Sequence, residues 1–195
     1  INAVRDGFQA GLEGAPAPNP DPDPKIIADG VYKLTARHSG KTLEIAGGVG
    51  ATGDGASAQQ NTYSGAANQQ WQLTNLGNGY HKIVARHSGK ALNVSGAPAS
   101  VDNGGDVEQY NFVNSTSQQW QLVDVGDGYY KVIARHSGKA LDVAGGPGAT
   151  ADGTRVHQWE YVGGLNQQWK VEAATTVAAP NPGAIANGVY TLTAR

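Results

Sequence analysis

The chain has 195 residues, of which 15% are charged and 28 are glycine, and its formal net charge is −2. This balance provides no basic surface for nucleic acid, and no stretch reaches the length of about 18 apolar residues that a membrane span needs. Because the chain contains no cysteine, disulfides and thiolate metal ligands are excluded, and the high glycine content predicts many turns and few long helices.

The N-terminal segment predicts a short helix followed by a linker. Within residues 1–14, apolar side chains recur at spacings of three and four, which is typical of one helix face. Prolines alternate with small or acidic residues through 15–25 and favour an extended, semi-rigid backbone. We interpret residues 1–14 as the end of an upstream domain and residues 15–25 as the spacer that follows it.

One unit is then repeated three times. The pentapeptide Arg-His-Ser-Gly-Lys begins at residues 37, 86 and 135, and a Gln-Gln-Trp element ends at residues 71, 120 and 169. Both elements recur every 49 residues, so no insertion separates the copies and internal symmetry is expected. The predicted domain covers residues 26–173, with repeat 1 at 28–76, repeat 2 at 77–125 and repeat 3 at 126–173.

Each repeat predicts about four short strands. In repeat 1, apolar and polar residues alternate through 32–36 and 43–45, and turns containing glycine separate these segments. Four strands in each of three copies predict an all-β unit with pseudo-threefold symmetry. Short strands that close on one another would also hide their edges.

The C-terminal segment predicts a second linker and the start of another copy. Prolines recur in residues 174–185, and residues 186–195 closely restate residues 28–37. We expect residues 186–195 to be the first strand of a second, truncated domain. The chain would then belong to a longer polypeptide with upstream and downstream domains.

The repeats resemble a known family in three consecutive elements. In repeat 3 these elements are Leu141-Asp142-Val143, Trp159-Glu160-Tyr161 and Asn166-Gln167-Gln168-Trp169. This order resembles the ricin B-type lectin repeat, also called carbohydrate-binding module family 13, and the likeness extends over all three repeats. The resemblance implies a β-trefoil fold and binding of galactose-type or xylose-type sugars.

The resemblance also implies three sugar-binding positions in each repeat: the residue after the Leu, an aromatic residue, and the Asn before Gln-x-Trp. Repeat 3 has the complete set, Asp142, Trp159 and Asn166, and His157 would lie at the edge of this site or face solvent. The other two sets are Asn93, Tyr110 and Ser117 in repeat 2, and Glu44, Asn61 and Asn68 in repeat 1. Since repeat 1 has no ring to stack on a sugar, we rank its site last and that of repeat 3 first.

One departure from the family concerns its disulfides. Many members have a half-cystine pair in each repeat, and these pairs fall here on Thr42 and Tyr63, Ala91 and Phe112, and Ala140 and Tyr161. A small residue faces an aromatic residue in every case. Our hypothesis is that the ring packs over its small partner and replaces the covalent link with buried apolar area.

Several recurring residues have a structural interpretation. We expect Trp71, Trp120 and Trp169 to be core anchors, with Leu43, Leu92 and Leu141, and the Gln of each Gln-x-Trp to tie backbone groups together. The adjacent His and Ser of each pentapeptide suggest a nucleophile and base, but triplication favours a turn that satisfies backbone groups. His81 replaces a Tyr of the other repeats, and we expect a half-buried, hydrogen-bonded ring.

Our hypothesis is a non-catalytic carbohydrate-binding β-trefoil that holds a secreted or cell-surface polysaccharide-degrading enzyme on its substrate. A structural or protein-binding trefoil is the alternative. A glycoside hydrolase within this chain would need paired carboxylates or a unique triad outside the repeat pattern, and the sequence contains neither. No cofactor is expected, and no metal either, because no pair of the five His residues has ligand spacing.

Overall fold

The structure is a computed structural model that describes residues 25–97 and 100–174. The predicted helix at 1–14, the linker up to residue 24 and the segments after residue 174 lie outside the described residues. No helix of the described residues has the length and apolar character that crossing a membrane requires.

The described residues form twelve strands, four from each repeat. In repeat 1 these are β1 (Gly30–Ala36), β2 (Thr42–Ile45), β3 (Ala58–Asn61) and β4 (Trp71–Gly77). In repeat 2 they are β5 (Tyr80–Ala85), β6 (Ala91–Val94), β7 (Val107–Tyr110) and β8 (Trp120–Gly126). In repeat 3 they are β9 (Tyr129–Ala134), β10 (Ala140–Val143), β11 (Thr154–Trp159) and β12 (Trp169–Ala173). The only helical elements described are short 3₁₀ turns at Gly48–Gly50, Ala67–Gln69, Thr116–Gln118 and Leu165–Gln167.

Six of these strands close into a barrel. The first and last strands of each repeat pair antiparallel in the ring β1, β4, β5, β8, β9, β12 and back to β1. Closure leaves the barrel without free sheet edges. The all-β fold with threefold internal symmetry that the repeats predict is therefore confirmed.

The middle strands of each repeat form hairpins that cap one end of the barrel. The hairpins are β2 with β3, β6 with β7, and β10 with β11. Each third strand also pairs with another repeat near the start of that repeat's third strand, through the facing pairs Ser57 and Glu108, Asp106 and His157, and Arg155 and Gln59. Ser57 and Asp106 lie just before β3 and β7. Barrel and hairpin cap together give the β-trefoil that the family resemblance implies.

The three repeated tryptophans lie in the core, as predicted. Trp71, Trp120 and Trp169 are fully buried among Leu, Ile, Val and Ala side chains. Each indole Nε1 donates to the backbone oxygen of the repeated leucine, namely Leu43, Leu92 and Leu141, at 2.9–3.0 Å. The rings thus bury a large apolar area without leaving an N–H unpaired.

The first Gln of each Gln-Gln-Trp element ties backbone groups together, which also confirms the prediction. The side-chain oxygens of Gln69, Gln118 and Gln167 accept from the backbone N–H of Ser64, Val113 and Val162 at 2.7–2.9 Å. Their Nε2 atoms donate to the backbone oxygens of Thr62, Asn111 and Glu160 at 2.7–2.9 Å. Both contacts hold the loop that leads into the last strand of each repeat.

The Arg-His-Ser-Gly-Lys segments are turns between the first two strands of each repeat. The His Nε2 atoms of His38, His87 and His136 contact backbone oxygens of another repeat at 3.0–3.1 Å. The adjacent Ser39, Ser88 and Ser137 donate to the side-chain oxygens of Gln60, Gln109 and Gln158 at 2.7 Å. The His and Ser side chains therefore join backbone and neighbouring strands, and the turn interpretation is confirmed.

His81 is more buried than its sequence context predicts. Its ring is fully buried and its Nε2 lies 3.1 Å from the oxygen and 3.2 Å from the nitrogen of Ile27. The expectation of a half-buried ring is wrong because the segment before β1, which belongs to no repeat, packs against it. Burial lowers the pKa of His81, and the hydrogen bond to Ile27 opposes this only in part.

The aromatic rings that replace half-cystines are only partly buried. Thr42, Ala91 and Ala140 are buried, whereas Tyr63, Phe112 and Tyr161 remain partly exposed. The ammonium groups of Lys33, Lys82 and Lys131 lie 5.0–5.1 Å from the ring centroids. Cation–π contacts therefore cover these rings, so their stabilisation is not the full burial of apolar area that we expected.

Candidate functional site

Three equivalent clefts lie beside the three hairpins. Each is bounded by the second and third strands of one repeat and by the 3₁₀ turn that follows, and the cleft volumes are about 540, 380 and 370 Å³ in chain order. We define the first cleft by Glu44, Gln59, Asn61 and Asn68, the second by Asn93, Glu108, Tyr110 and Ser117, and the third by Asp142, His157, Trp159 and Asn166. The structure thus brings every set of sequence-predicted site residues together in its own cleft.

The third cleft has a polar floor centred on Asp142. Strand pairing places Asp142 on β10 opposite His157 on β11, and Oδ1 of Asp142 accepts from His157 Nε2 at 2.9 Å. The 3₁₀ turn brings in Asn166, whose Nδ2 donates to Asp142 Oδ2 and to the Val143 oxygen, both at 3.0 Å. The three side chains are each 5% exposed, so their positions are fixed by packing as well as by hydrogen bonds.

The third cleft also has an exposed aromatic wall. Trp159 is 39% exposed, and its ring is stacked on that of His157 with centroids 5.4 Å apart and planes 26° apart. Because His157 is almost buried, it lies inside the cleft rather than facing solvent. The indole therefore presents one face beside a carboxylate and an amide.

Arg155 fixes the orientation of His157. Its Nη2 donates to Nδ1 of His157 at 3.1 Å, so Nδ1 is the acceptor and Nε2 carries the proton that is donated to Asp142. Its Nη1 contacts Oδ1 of Asp106, from repeat 2, at 2.6 Å. A chain of contacts from the neighbouring repeat thus holds the imidazole in the third cleft.

The second cleft keeps an exposed ring but has a different polar set. Tyr110 is 42% exposed. Asn93 Nδ2 donates to Glu108 Oε1 at 3.1 Å, and Ser117 Oγ donates to Asn93 Oδ1 at 2.9 Å. Glu108 is not one of the positions that the family resemblance implies, although it lies two residues before the ring, the position that His157 has in repeat 3.

In the first cleft, hydrogen bonds within the protein already occupy the carboxylate of Glu44. Oε1 of Glu44 accepts from Gln59 Nε2 at 2.7 Å and from Asn61 Nδ2 at 2.8 Å. Oε2 accepts from Gln69 Nε2 at 2.9 Å and from Asn68 Nδ2 at 3.4 Å. An ionised carboxylate has about four acceptor positions, and four amide groups already occupy them.

Two acidic groups outside the clefts have lowered pKa values because each accepts a hydrogen bond from a lysine. A hydrogen bond from Lys90 lowers the pKa of Asp54, and one from Lys41 lowers that of Asp152. These pairs join neighbouring repeats at the surface. Among residues 25–97 and 100–174, no three acidic or His side chains come together as metal ligands.

Comparison with known proteins places the chain in a family. The family model described as "Ricin-type beta-trefoil lectin domain-like" matches residues 25–110, 96–159 and 116–191. No curated protein gave a significant sequence match.

Solved structures show the same fold. The designed threefold symmetric protein ThreeFoil is 56% identical with a TM-score of 0.69, and the match covers 73% of this chain and 98% of that protein. The exo-β-1,3-galactanase 1,3Gal43A of Clostridium thermocellum is 40% identical with a TM-score of 0.69; the match covers 76% of this chain but only 31% of the galactanase. The ricin B-like lectin of Macrolepiota procera, solved with lactose, is 21% identical with a TM-score of 0.62, and 76% and 99% of the two chains are covered.

Proposed function

This chain belongs to the family of ricin-type β-trefoil lectin domains, and from that premise we propose that it binds carbohydrate, without cleaving it, chiefly in its third cleft. The single observation that carries the proposal is the exposed face of Trp159 beside the carboxylate of Asp142. A pyranose ring has an apolar C–H face that stacks on an indole, and its hydroxyl groups donate to a carboxylate.

The polar floor of the third cleft supports a hydroxyl-rich ligand. Each oxygen of Asp142 accepts one hydrogen bond within the protein, which leaves about two acceptor positions for neighbouring hydroxyls of a sugar. Because His157 and Asn166 hold the carboxylate in place, little side-chain entropy is lost on binding. The cleft is open and shallow, so one site gives weak affinity, and several sites on one polysaccharide raise the avidity.

The number of acidic residues supports binding rather than hydrolysis. Each of the three clefts is lined by a single carboxylate residue, Glu44, Glu108 or Asp142. Most glycoside hydrolases use two carboxylates that flank the scissile bond. The polar atoms of each cleft are therefore suited to holding a sugar and not to the paired acid and base of hydrolysis.

We further propose that the chain is the substrate-targeting module of a secreted polysaccharide-degrading enzyme. A domain 40% identical to it forms part of an exo-β-1,3-galactanase, which supports this context and makes galactose-type sugars the first ligands to test. Xylose-type sugars are the second.

The test is a titration of the full 195-residue chain with lactose, β-1,3-galactan and xylan, followed by isothermal calorimetry or affinity electrophoresis. We expect binding of at least one glycan and a loss of about tenfold in affinity for Trp159→Ala, because the stacking surface is removed. Asp142→Ala should also lower the affinity for the same glycan.

The matched control is Ile26→Ala, which removes an apolar side chain that is 48% exposed and lines none of the three clefts. It should bind as the parent does. If no glycan binds the parent chain, the proposal fails and the structural or protein-binding alternative takes its place. If Trp159→Ala binds every glycan as tightly as the parent, the third cleft is not the site.

A further inference from the structure

The second cleft carries its carboxylate on the opposite strand from the third. In the third cleft, the acceptor Asp142 is on the hairpin's first strand and the donor His157 faces it on the second. In the second cleft, the donor Asn93 is on the first strand and the acceptor Glu108 faces it. Each cross-strand pair therefore contains one carboxylate and one N–H donor, in reversed order.

Glu108 has more free acceptor capacity than the carboxylate of either other cleft. Its Oε1 accepts one hydrogen bond, from Asn93, and among the described residues Oε2 accepts none. By contrast, Asp142 accepts two hydrogen bonds and Glu44 accepts four. About three of the four acceptor positions of the Glu108 carboxylate are thus open to a ligand.

The surroundings of Glu108 leave this free oxygen accessible. The side chain is partly exposed, whereas Glu44 and Asp142 are 6% and 5% exposed. The neighbouring loop approaches Oε2 with Gly55, at which even an added Cβ would lie 3.8 Å away. The backbone there has a φ of 83°, a conformation that favours glycine, so this loop places no side chain against Oε2.

From these contacts we infer that Glu108 is the hydroxyl acceptor of a second sugar site. It has the role there that Asp142 has in the third cleft, although it lies on the opposite strand of the hairpin. This inference rests on the proposed carbohydrate-binding function. The exposed ring of Tyr110 provides the stacking surface, and the amide of Asn93 holds the carboxylate. The domain would then be bivalent, with two sites of different chemistry.

The same geometry defines the class of ligand. A carboxylate with free lone pairs accepts from two adjacent hydroxyl groups, and at neutral pH it repels a ligand carboxylate. The second and third clefts each have one such carboxylate, and no Lys or Arg is among the residues that line them. Both sites should therefore take neutral sugars with an adjacent pair of hydroxyls and reject uronic acids.

The test is a ¹⁵N NMR titration of the full chain with lactose and, separately, with xylobiose and galacturonic acid. Amides of residues 107–117 report on the second cleft, and amides of residues 154–166 report on the third. In the parent chain we expect shift changes at both clefts with the same neutral sugar, and none with galacturonic acid.

Glu108→Gln keeps the size of the side chain and an oxygen that accepts from Asn93, so the fold is retained. A charged acceptor forms stronger hydrogen bonds than a neutral one, and we expect the second-cleft affinity to fall about tenfold. The third-cleft titration serves as the internal reference. Trp159→Ala should weaken binding at the third cleft and leave the second-cleft affinity unchanged.

A rescue variant separates the role of Glu108 from damage to the cleft. Asn93→Asp combined with Glu108→Gln moves the carboxylate to the first strand, as in repeat 3, and keeps an amide donor opposite it, as Gln59 is opposite Glu44. This variant should restore the second-cleft binding that Glu108→Gln alone removes. The inference is overturned if only third-cleft amides shift in the parent, or if Glu108→Gln leaves the second-cleft affinity unchanged; in both cases the proposed function stands. If neither cleft responds to lactose or xylobiose and the glycan titration of the parent chain is also negative, the proposed function itself fails.

Discussion

The first and third clefts are built from the same elements and share a carboxylate on the second strand and an Asn on the 3₁₀ turn, yet their carboxylates are used differently. Glu44 is one methylene longer than Asp142 and reaches Gln69, so four amide groups occupy its two oxygens. Both Gln69 and its counterpart Gln167 donate to a backbone oxygen, but of the two only Gln69 also donates to the carboxylate of its cleft. A carboxylate in a cleft is thus available to a ligand only when the protein leaves some of its acceptor positions free.

The largest effect should come from a residue that does not differ between the repeats. Trp120→Ala removes a fully buried ring and should lower the free energy of unfolding by about 3–5 kcal/mol, because a cavity remains in the core. Denaturant unfolding measures this change. Trp159→Ala is the matched control: its ring is 39% exposed, so it should cost much less stability. Equal costs would contradict the separation of core and cleft tryptophans.

The next effect separates the two carboxylates directly. Glu44→Ala leaves four amide groups without their acceptor and should cost about 2–3 kcal/mol of stability, while Asp142→Ala leaves two donors and should cost about 1–2 kcal/mol. Asp142→Ala should weaken ligand binding more than Glu44→Ala does, because of these two carboxylates only Asp142 has free acceptor positions. Unfolding and glycan titration of both variants measure the two effects.

An equal loss of glycan binding in Glu44→Ala and Asp142→Ala would contradict the claim that the two carboxylates have different roles. A larger loss of stability in Asp142→Ala than in Glu44→Ala would contradict it as well. Glu44→Gln helps to separate charge from size, since it keeps the length of the side chain.

The core and the turns could be predicted from the sequence because their residues recur identically. Trp120 and its two counterparts are all fully buried and all donate to the backbone oxygen of a repeated leucine, so a period of 49 residues and the burial of indole rings were sufficient. The clefts are different, because what matters there is which side chains reach which lone pair. The four bonds of Glu44 and the single bond of Glu108 depend on distances across a hairpin and from the hairpin to the 3₁₀ turn, and a sequence pattern does not contain those distances.

His81 shows the same limit inside the barrel. Its burial results from contact with Ile27, which lies outside the repeated unit, so comparison of the repeats could not predict it. Similarly, the lysines over Tyr63 and its counterparts come from another strand of the same repeat. Contacts that join separate parts of the sequence were therefore the ones we missed.

A smaller effect concerns how His81 makes repeat 2 differ from repeats 1 and 3. Because burial lowers the pKa of His81 below the usual histidine value of 6.5, the unfolded chain binds this proton more readily than the folded chain does. The stabilisation is complete above pH 6.5 and is lost as the pH falls through the folded pKa. Thermal unfolding between pH 7 and pH 5 should therefore show a steeper loss of stability in the parent chain than in His81→Gln. Parallel curves would contradict this account.

The smallest effect should come from the contacts between repeats. Lys41 and Lys90 form ion pairs with Asp152 and Asp54 at 2.6 and 2.8 Å, whereas the third equivalent position is Asn103, which accepts from the backbone N–H of Glu160. Asn103→Asp should create an ion pair with Lys139, the counterpart of Lys41 and Lys90, and should add about 0.2–1 kcal/mol of stability, at the lower end because the Glu160 charge is close. The gain should disappear at high salt. A gain that does not depend on salt would contradict an ion pair as its cause.

A crystal structure of the full chain with bound lactose, or with the neutral glycan that titrates most strongly, tests the central claim most directly. We predict a sugar ring stacked on Trp159 with hydroxyl groups on Asp142, a second sugar over Tyr110 with hydroxyl groups on Glu108, and no sugar on Glu44. A sugar bound to Glu44 while the third cleft stays empty would contradict the claim that free acceptor positions decide which clefts bind.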